Sequence, residues 1–370
     1  MPPLVTHVVG ARPNFMKAAP VIDGLDDLGV RRHVLHTGQH YDTQLSQVFF
    51  DQLGLPAPDV NLGVGSGTHG EQTGALITAL EKTLVELSPA AVVVYGDVNS
   101  TLAAAVVTSK LLIPLVHVEA GLRSFDWTMP EEINRRVTDT LADLLLVTSP
   151  EALAHLADEG VPAERMAFVG NPMIDTLLSH LDAFDPERVK QQLGLTDRYV
   201  ATTLHRPANV DDPDRARAIV DALRKIGELA EVVIPLHPRG RERLANAGLT
   251  DADRVRVLEP LGYVEFLSLV RGAALVVTDS GGVQEETTIL DIPCLTVRPN
   301  TERPITISAG TNRLVEPEEL PEAAAAILNG TITMPDVRPP LWDGHAGPRA
   351  AAVIRDFLDG HGPPPRAAIA

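Results

Sequence analysis

Short apolar runs rich in β-branched residues recur along nearly the whole chain, each followed by a stretch of helical periodicity. Strands buried on both faces read as unbroken apolar runs, and parallel neighbours need helical crossovers between them. This alternation therefore predicts parallel sheets covered by helices on both sides. The first half holds predicted strands at 4–9, 34–36, 91–95, 115–118, 144–147 and 166–169. The second half holds 199–204, 232–235, 255–258, 275–278, 294–297 and a short one at Leu314. Helical patterns separate them, among them 43–53, 71–87, 100–112, 131–141, 213–229, 263–270 and 318–327. Asn171-Pro172 interrupts the pattern, which restarts at Tyr199. The reading is an α/β chain of two Rossmann-like, doubly wound domains, 1–170 and 171–345, with a ligand cleft between them at the strand C-terminal ends. A last helix at 346–359 is expected to pack back on the N-terminal domain, and 360–370, with its Pro-Pro-Pro run, to be a loose tail.

Charge and composition exclude several functions. With 370 residues, each domain has enough chain to bury its own core. A formal charge of −18 argues against a nucleic-acid backbone or an anionic membrane as partner. Any anionic ligand must instead meet a local basic cluster. The single cysteine, Cys294, lies in an apolar run and reads as a buried thiol. No apolar run approaches the roughly 18 residues of a membrane span, and no secretory leader pattern opens the chain, so a soluble cytoplasmic protein is expected. His36 and His40 share no helix face and have no cysteine beside them, so no metal site is expected.

The densest local signal is the run from Leu275 to Glu286. A buried strand turns through Asp279 and Ser280, both good N-caps, into Gly281, Gly282 and a helix. Backbone N–H groups at such a helix start converge where the helix dipole is positive, which suits a diphosphate. Glu285 and Glu286 follow in the first turn; they either complement the dipole or grip ribose hydroxyls.

Other polar loops fall directly after predicted strands. Arg12 and Lys17 follow the first, Gly96-Asp97 the Val92 strand, and Glu119 and Arg123 the Leu115 strand, leading on to Glu131, Glu132 and Arg135. In the second half His205-Arg206, His237 and Arg298 to Arg303 hold such positions. Asp97 also reads as a helix cap, and Glu131 with Arg135 as an i,i+4 pair. Gly63 to Gly67 is glycine-rich without the Lys-Ser/Thr of a P-loop and reads as a mobile loop over the cleft. Together these carboxylates, histidines and arginines make a polar cleft of the kind catalysis needs.

These segments carry a family resemblance. Gly10-Ala11-Arg12-Pro13 through Lys17, Tyr95-Gly96-Asp97, His117 to Arg123, Pro130-Glu131-Glu132 through Arg135, and Gly170-Asn171-Pro172 match in order. Thr203 to Arg206, Thr278 to Glu286 and Thr301-Glu302-Arg303-Pro304 continue the match. The chain resembles the bacterial, non-hydrolysing UDP-N-acetylglucosamine 2-epimerases of the GT-B structural class. The resemblance implies a UDP-sugar substrate, no cofactor, no metal and a homodimer. It implies that Ser280, Gly281 and Gly282 hold the diphosphate, that Glu286 takes the ribose and that Phe266 lies against the uracil. Arg12 and His205 would face the β-phosphate with Arg303 nearby. Asp97, Glu119 and Glu131 would surround C1 and C2 of the sugar, with Lys17 and Arg135 orienting them.

The implied chemistry is elimination of UDP to a bound glycal and its re-addition. That requires a carboxylate on each face of the sugar, cations for the departing UDP and a closed cleft. The rivals are a hydrolysing relative, which shares nearly all these motifs, a 2-epimerase for a differently substituted UDP-sugar, and a GT-B glycosyltransferase, which would need an acceptor. Three positions depart from the family. Ala208 stands where Glu is usual, Ile305 replaces a commoner Glu, and Gln39-His40-Tyr41-Asp42 lacks the second Gln of members activated by a second nucleotide sugar.

Overall fold

The computed structural model describes residues 2–38, 57–236, 238–249, 254–332, 335 and 337–365. The predicted helix at 43–53 lies outside them. Contacts divide the chain into two units, Met1–Ser179 with Pro340–Ala370, and His180–Pro339.

The first unit is a parallel sheet of seven strands: β1 (Leu4–Val9), β2 (Arg31–His36), β3 (Val60–Asn61), β4 (Ala91–Tyr95), β5 (Leu115–Ala120), β6 (Leu144–Val147) and β7 (Met166–Phe168). Their order is β3-β2-β1-β4-β5-β6-β7. Every residue of β4 is buried, as a central strand covered on both faces requires. The helix His69–Leu87 turns Leu76, Leu80 and Leu84 inward at four-residue spacing, and Thr68 with Glu71 closes its start as a capping box. The last helix, Ala346–Leu358, crosses the helix Arg12–Asp27 closely. A Cβ on Gly347 would stand 2.4 Å from the Pro20 carbonyl oxygen, so only glycine permits this approach. Asp175 accepts the Gly347 N–H at 2.6 Å, and Trp342 donates its indole N–H to the Thr148 carbonyl at 2.8 Å.

The second unit has six parallel strands: β8 (Tyr199–Thr203), β9 (Glu231–Pro235), β10 (Val255–Leu258), β11 (Leu275–Thr278), β12 (Cys294–Val297) and β13 (Asn312–Val315). Their order is β10-β9-β8-β11-β12-β13. Its core joins the inner faces of these strands to Ile219, Val220, Leu223 and Ile226 of one helix and to Leu320, Ala324 and Leu328 of another. Cys294 is a free thiol whose pKa burial pushes up to about 11.

Two helices, Pro172–Ser179 and Pro186–Leu193, occupy the stretch where the sequence pattern reads as a break. Each opens on proline, which is compatible with a first helical turn because no N–H is needed there. The first belongs to the first unit, where Thr176 donates to the Met16 carbonyl at 2.6 Å. In each sheet the strand order reverses once, between β1 and β4 and between β8 and β11. Loops leaving those strands diverge and open a crevice at their carboxyl ends.

Candidate active site

In the first unit the crevice lies where β1 and β4 end. Asn14, in the first turn after β1, accepts the Gly10 and Ala11 N–H groups and donates to the Tyr95 carbonyl at 2.7 Å. It thereby ties the β1 loop to the end of β4. Lys17, one turn further, ion-pairs with Glu119, and both side chains are buried. Glu119 has a φ of 73°, and the pairing of β5 with β6 slips between Val118 and Ala120. A left-handed residue at a bulge re-aims its side chain, and here the bulge turns Glu119 toward Lys17. Gly96 makes room for the pair. With a φ of 63°, it has Glu119 Oε2 only 2.8 Å from where a Cβ would stand.

Asp97 follows directly. Arg135 donates to its Oδ2 from Nε at 3.0 Å and from Nη2 at 2.8 Å, and to Glu132 from Nη1 at 2.9 Å. Asn134 donates to the Asp97 carbonyl at 2.8 Å. Glu132, fully buried, also accepts from Ser124 and Arg136. Burial alone would raise its carboxyl, but the Ser124 N–H and the Arg135 charge hold it below the usual range. Arg135 thus pairs with Glu132 within its own helix, while Glu131 is exposed at the first turn. Behind the Gly96 turn, His117 bonds the Gly96 carbonyl through Nε2 at 2.8 Å and Asp139 through Nδ1 at 2.6 Å. Asp139 also meets Arg123 at 2.7 Å and the Gly121 N–H at 3.0 Å. Lys17, Asp97, Glu119 and Arg135 are therefore drawn together through Gly96. Glu131 stands at the rim, and the Arg12 side chain lies outside the described residues.

The second unit gathers its polar groups where β8 and β11 end. Ser280 is the N-cap of the helix Gly281–Ile289, whose first N–H groups have no intrahelical acceptor. A Cβ on Gly281 would come within 2.4 Å of Arg303 Nη1, so this glycine admits the arginine to the helix start. Arg303 reaches Glu285 at 2.8 Å and also pairs with Glu302, which Arg298 holds at 2.7 Å. His205, with more than half its side chain exposed, places Nδ1 2.9 Å from Asp279. Asp279 is fully buried and accepts from the N–H groups of His205 and Arg206 and from Asn209. Burial would raise its carboxyl, yet the bonds from His205 and its neighbours hold it below the usual range. The pair fixes the imidazole by Nδ1 and leaves Nε2 as the outward nitrogen. Phe266 is half-buried on the helix Tyr263–Arg271. One turn before it, the Tyr263 hydroxyl faces Glu286, a carboxyl whose pKa burial pushes up to about 8.

The family model described as UDP-N-acetylglucosamine 2-epimerase matches residues 26–355. A UDP-N-acetylglucosamine 2-epimerase of Methanocaldococcus jannaschii is 41% identical over 359 residues, covering 94% of this chain and 97% of the relative. The chain belongs to the UDP-N-acetylglucosamine 2-epimerase family. Family membership does not single out one sugar. A UDP-2,3-diacetamido-2,3-dideoxy-D-glucuronate 2-epimerase of Pseudomonas aeruginosa is also 41% identical, covering 96% of this chain and 99% of that one. The crystal structure of the M. jannaschii epimerase in complex with UDP-GlcNAc and UDP is similar with a TM-score of 0.88 at 40% identity, covering 95% and 99% of the two chains. The two parallel-sheet units are thus those of a GT-B-like epimerase, as the strand pattern and motifs predict.

Several groups of this epimerase-family site escape a reading by motif. Asp279 and Ser280 both read as helix caps, but Ser280 stands at the N-cap position without a side-chain cap bond and Asp279 serves His205. The signal for it is topological: β11 pairs with β8 so that Thr278 lies beside Thr203, which brings residue 279 alongside 204 and within reach of the His205 N–H. Glu132 and Glu302 act as buried anchors for arginines, which their neighbours in sequence do not reveal. The glycine-rich loop is tied down at its start, with Val64 N–H on the Thr37 carbonyl at 3.0 Å and Gly65 N–H on that of Gly38 at 3.1 Å. His237 and the segment Gln39 to Asp42 lie outside the described residues. Among the described residues no group of three or more histidine, cysteine or acidic side chains is placed to hold a metal, and no helix is long and apolar enough to cross a membrane.

Proposed function

We propose that this chain interconverts UDP-N-acetylglucosamine and UDP-N-acetylmannosamine by elimination and re-addition of UDP. The observation that carries the mechanism is the placement of two carboxylates, Asp97 and Glu119, beside one glycine turn, each oriented by its own cation, Arg135 and Lys17. The C2 proton lies beside no carbonyl, so it becomes removable only as the C1–O bond breaks. One carboxylate accepts that proton, C1 and C2 become doubly bonded, and UDP leaves with the bonding electrons. UDP oxygen then adds back to C1, while a carboxylic acid on the other face of the ring delivers a proton to C2. Glu131, exposed at the rim, is the third candidate acid.

Departing UDP must be met by donors. The N–H groups at the start of the helix after Ser280, the outward Nε2 of His205, Arg303 and Arg12 are proposed to supply them, with Ser280, Gly281 and Gly282 lining the diphosphate. Glu286 would meet the ribose and Phe266 the uracil. The glycal would need to stay bound between the two half-reactions. Protein dimerisation and a cytoplasmic setting belong to this proposal as well.

A proton NMR time course in D2O tests it. Deuterium entering C2 with both epimers present and no net UDP is the expected result. Stoichiometric UDP and free sugar would mean a hydrolysing enzyme, and absence of exchange would overturn the epimerase reading. The Pseudomonas relative favours one second reading, the same reaction on a 2,3-diacetamido uronate. Running that nucleotide sugar in parallel and comparing kcat/KM decides between them.

A further inference from the structure

The bonds behind the Gly96–Asp97 turn close into a ring. From the Gly96 carbonyl they pass through His117 to Asp139, and from Asp139 through Arg123 to Glu159. Arg136 carries the path on to Glu132, and Arg135 returns it to Asp97, the residue after Gly96. Every link measures between 2.6 and 3.0 Å.

Donor and acceptor types decide the state of the imidazole in this ring. A carbonyl oxygen only accepts, so His117 Nε2 carries a proton. Asp139 takes the Arg123 guanidinium at 2.7 Å and the Gly121 N–H at 3.0 Å, both of them donors, on Oδ2. It is therefore an ionised acceptor, and His117 Nδ1 must carry a proton too. With both nitrogens protonated, cations and carboxylates alternate around the whole ring. A neutral imidazole would set a lone pair against one of two acceptors, inside a site where His117 and Asp139 are both buried.

We propose that His117 is a positioning residue, held as an imidazolium, that sets the Gly96–Asp97 turn for catalysis. Pulling the Gly96 carbonyl inward fixes Asp97 at one side of the turn. It also fixes the surface on which the Glu119 carboxylate rests, because that carboxylate occupies the space beside Gly96 where a side chain would begin. This deepens the epimerase reading and rests on it.

Two-dimensional 1H–15N NMR of 15N-histidine protein reads the charge directly, with the His117 signals assigned by their loss in His117→Gln or His117→Asn. Both ring nitrogens are expected to carry protons, one toward the Gly96 carbonyl and one toward Asp139. Asp139→Asn removes one negative charge without changing the shape, and it should leave His117 with a single ring proton. Folded His117→Gln and Asp139→Asn should lose about 10²-fold in kcat, the scale of an ångström-sized misplacement. UDP affinity should fall far less than kcat, because the residues assigned to UDP in the second unit are untouched. A neutral His117 in active wild-type protein overturns the proposal whatever the variants do, and so does a folded His117→Gln with kcat within about twofold of wild type. Wild-type protein that incorporates no deuterium at C2 would instead refute the epimerase reading.

Discussion

Glu286 offers a quantitative test of the second unit. It is buried on the helix Gly281–Ile289, and burial, reinforced by Glu285 and opposed by the Tyr263 hydroxyl, pushes its pKa from the usual 4.5 up to about 8. The folded protein then holds a proton that the unfolded chain has released, so stability falls as pH rises between 4.5 and 8 and levels off above. At about 1.4 kcal/mol for each pH unit in that window, full ionisation costs at most about 5 kcal/mol. Glu286→Gln keeps the shape and a hydrogen-bonding head and never ionises. The variant should lack this slope and be the more stable protein at about pH 9. Both tryptophans, Trp127 and Trp342, lie in the first unit, so their fluorescence would not report the event. The appropriate readout is hydrogen exchange of the β11 and β12 amides in urea, which follows unfolding of the central strands. Equal pH slopes in wild type and Glu286→Gln would refute the reasoning.

Three further outcomes are expected. Asp97→Asn and Glu119→Gln should each lower turnover by about 10²–10⁴-fold while UDP still binds by calorimetry, as loss of one positioned acid or base does. His205→Ala should reduce kcat more than substrate affinity in steady-state assays, since a donor to the leaving phosphate acts as the bond breaks; an effect on affinity alone would make it a plain binding residue. Gly281→Ala should displace Arg303 from the helix start and weaken UDP binding by calorimetry, with little change in thermal unfolding of the first unit, because the new Cβ would sit 2.4 Å from Arg303 Nη1.

The strands are the most legible part of this chain because a strand buried on both faces leaves an unbroken apolar run. In β4, β6 and β11 every residue is buried, and none of the three carries a charged side chain to blur the pattern. The helices after Asn171 are hidden by the prolines that open them, since proline reads equally as a stop and as a first turn. At the site, legibility follows the backbone. Loops that leave adjacent strand ends can be placed from the sheet pattern alone, which is why Lys17, Asp97, Glu119, His205 and Ser280 can be nominated from sequence.

What a strand pattern does not disclose is which buried charge answers which. Glu131 and Glu132 are neighbours of one chemistry in one helical turn, yet one is exposed and the other fully buried between two arginines. Their difference arises from the helix's orientation against the Asp97 turn, a tertiary fact. The same holds for Glu285 and Glu286, of which the first meets Arg303 and the second Tyr263. Desolvation makes each such choice energetically large, because a buried carboxylate without a cation or donors would give up its charge. A motif can therefore name the residues that face a ligand, while the residues that keep those groups charged and aimed become visible only once the packing around them is known.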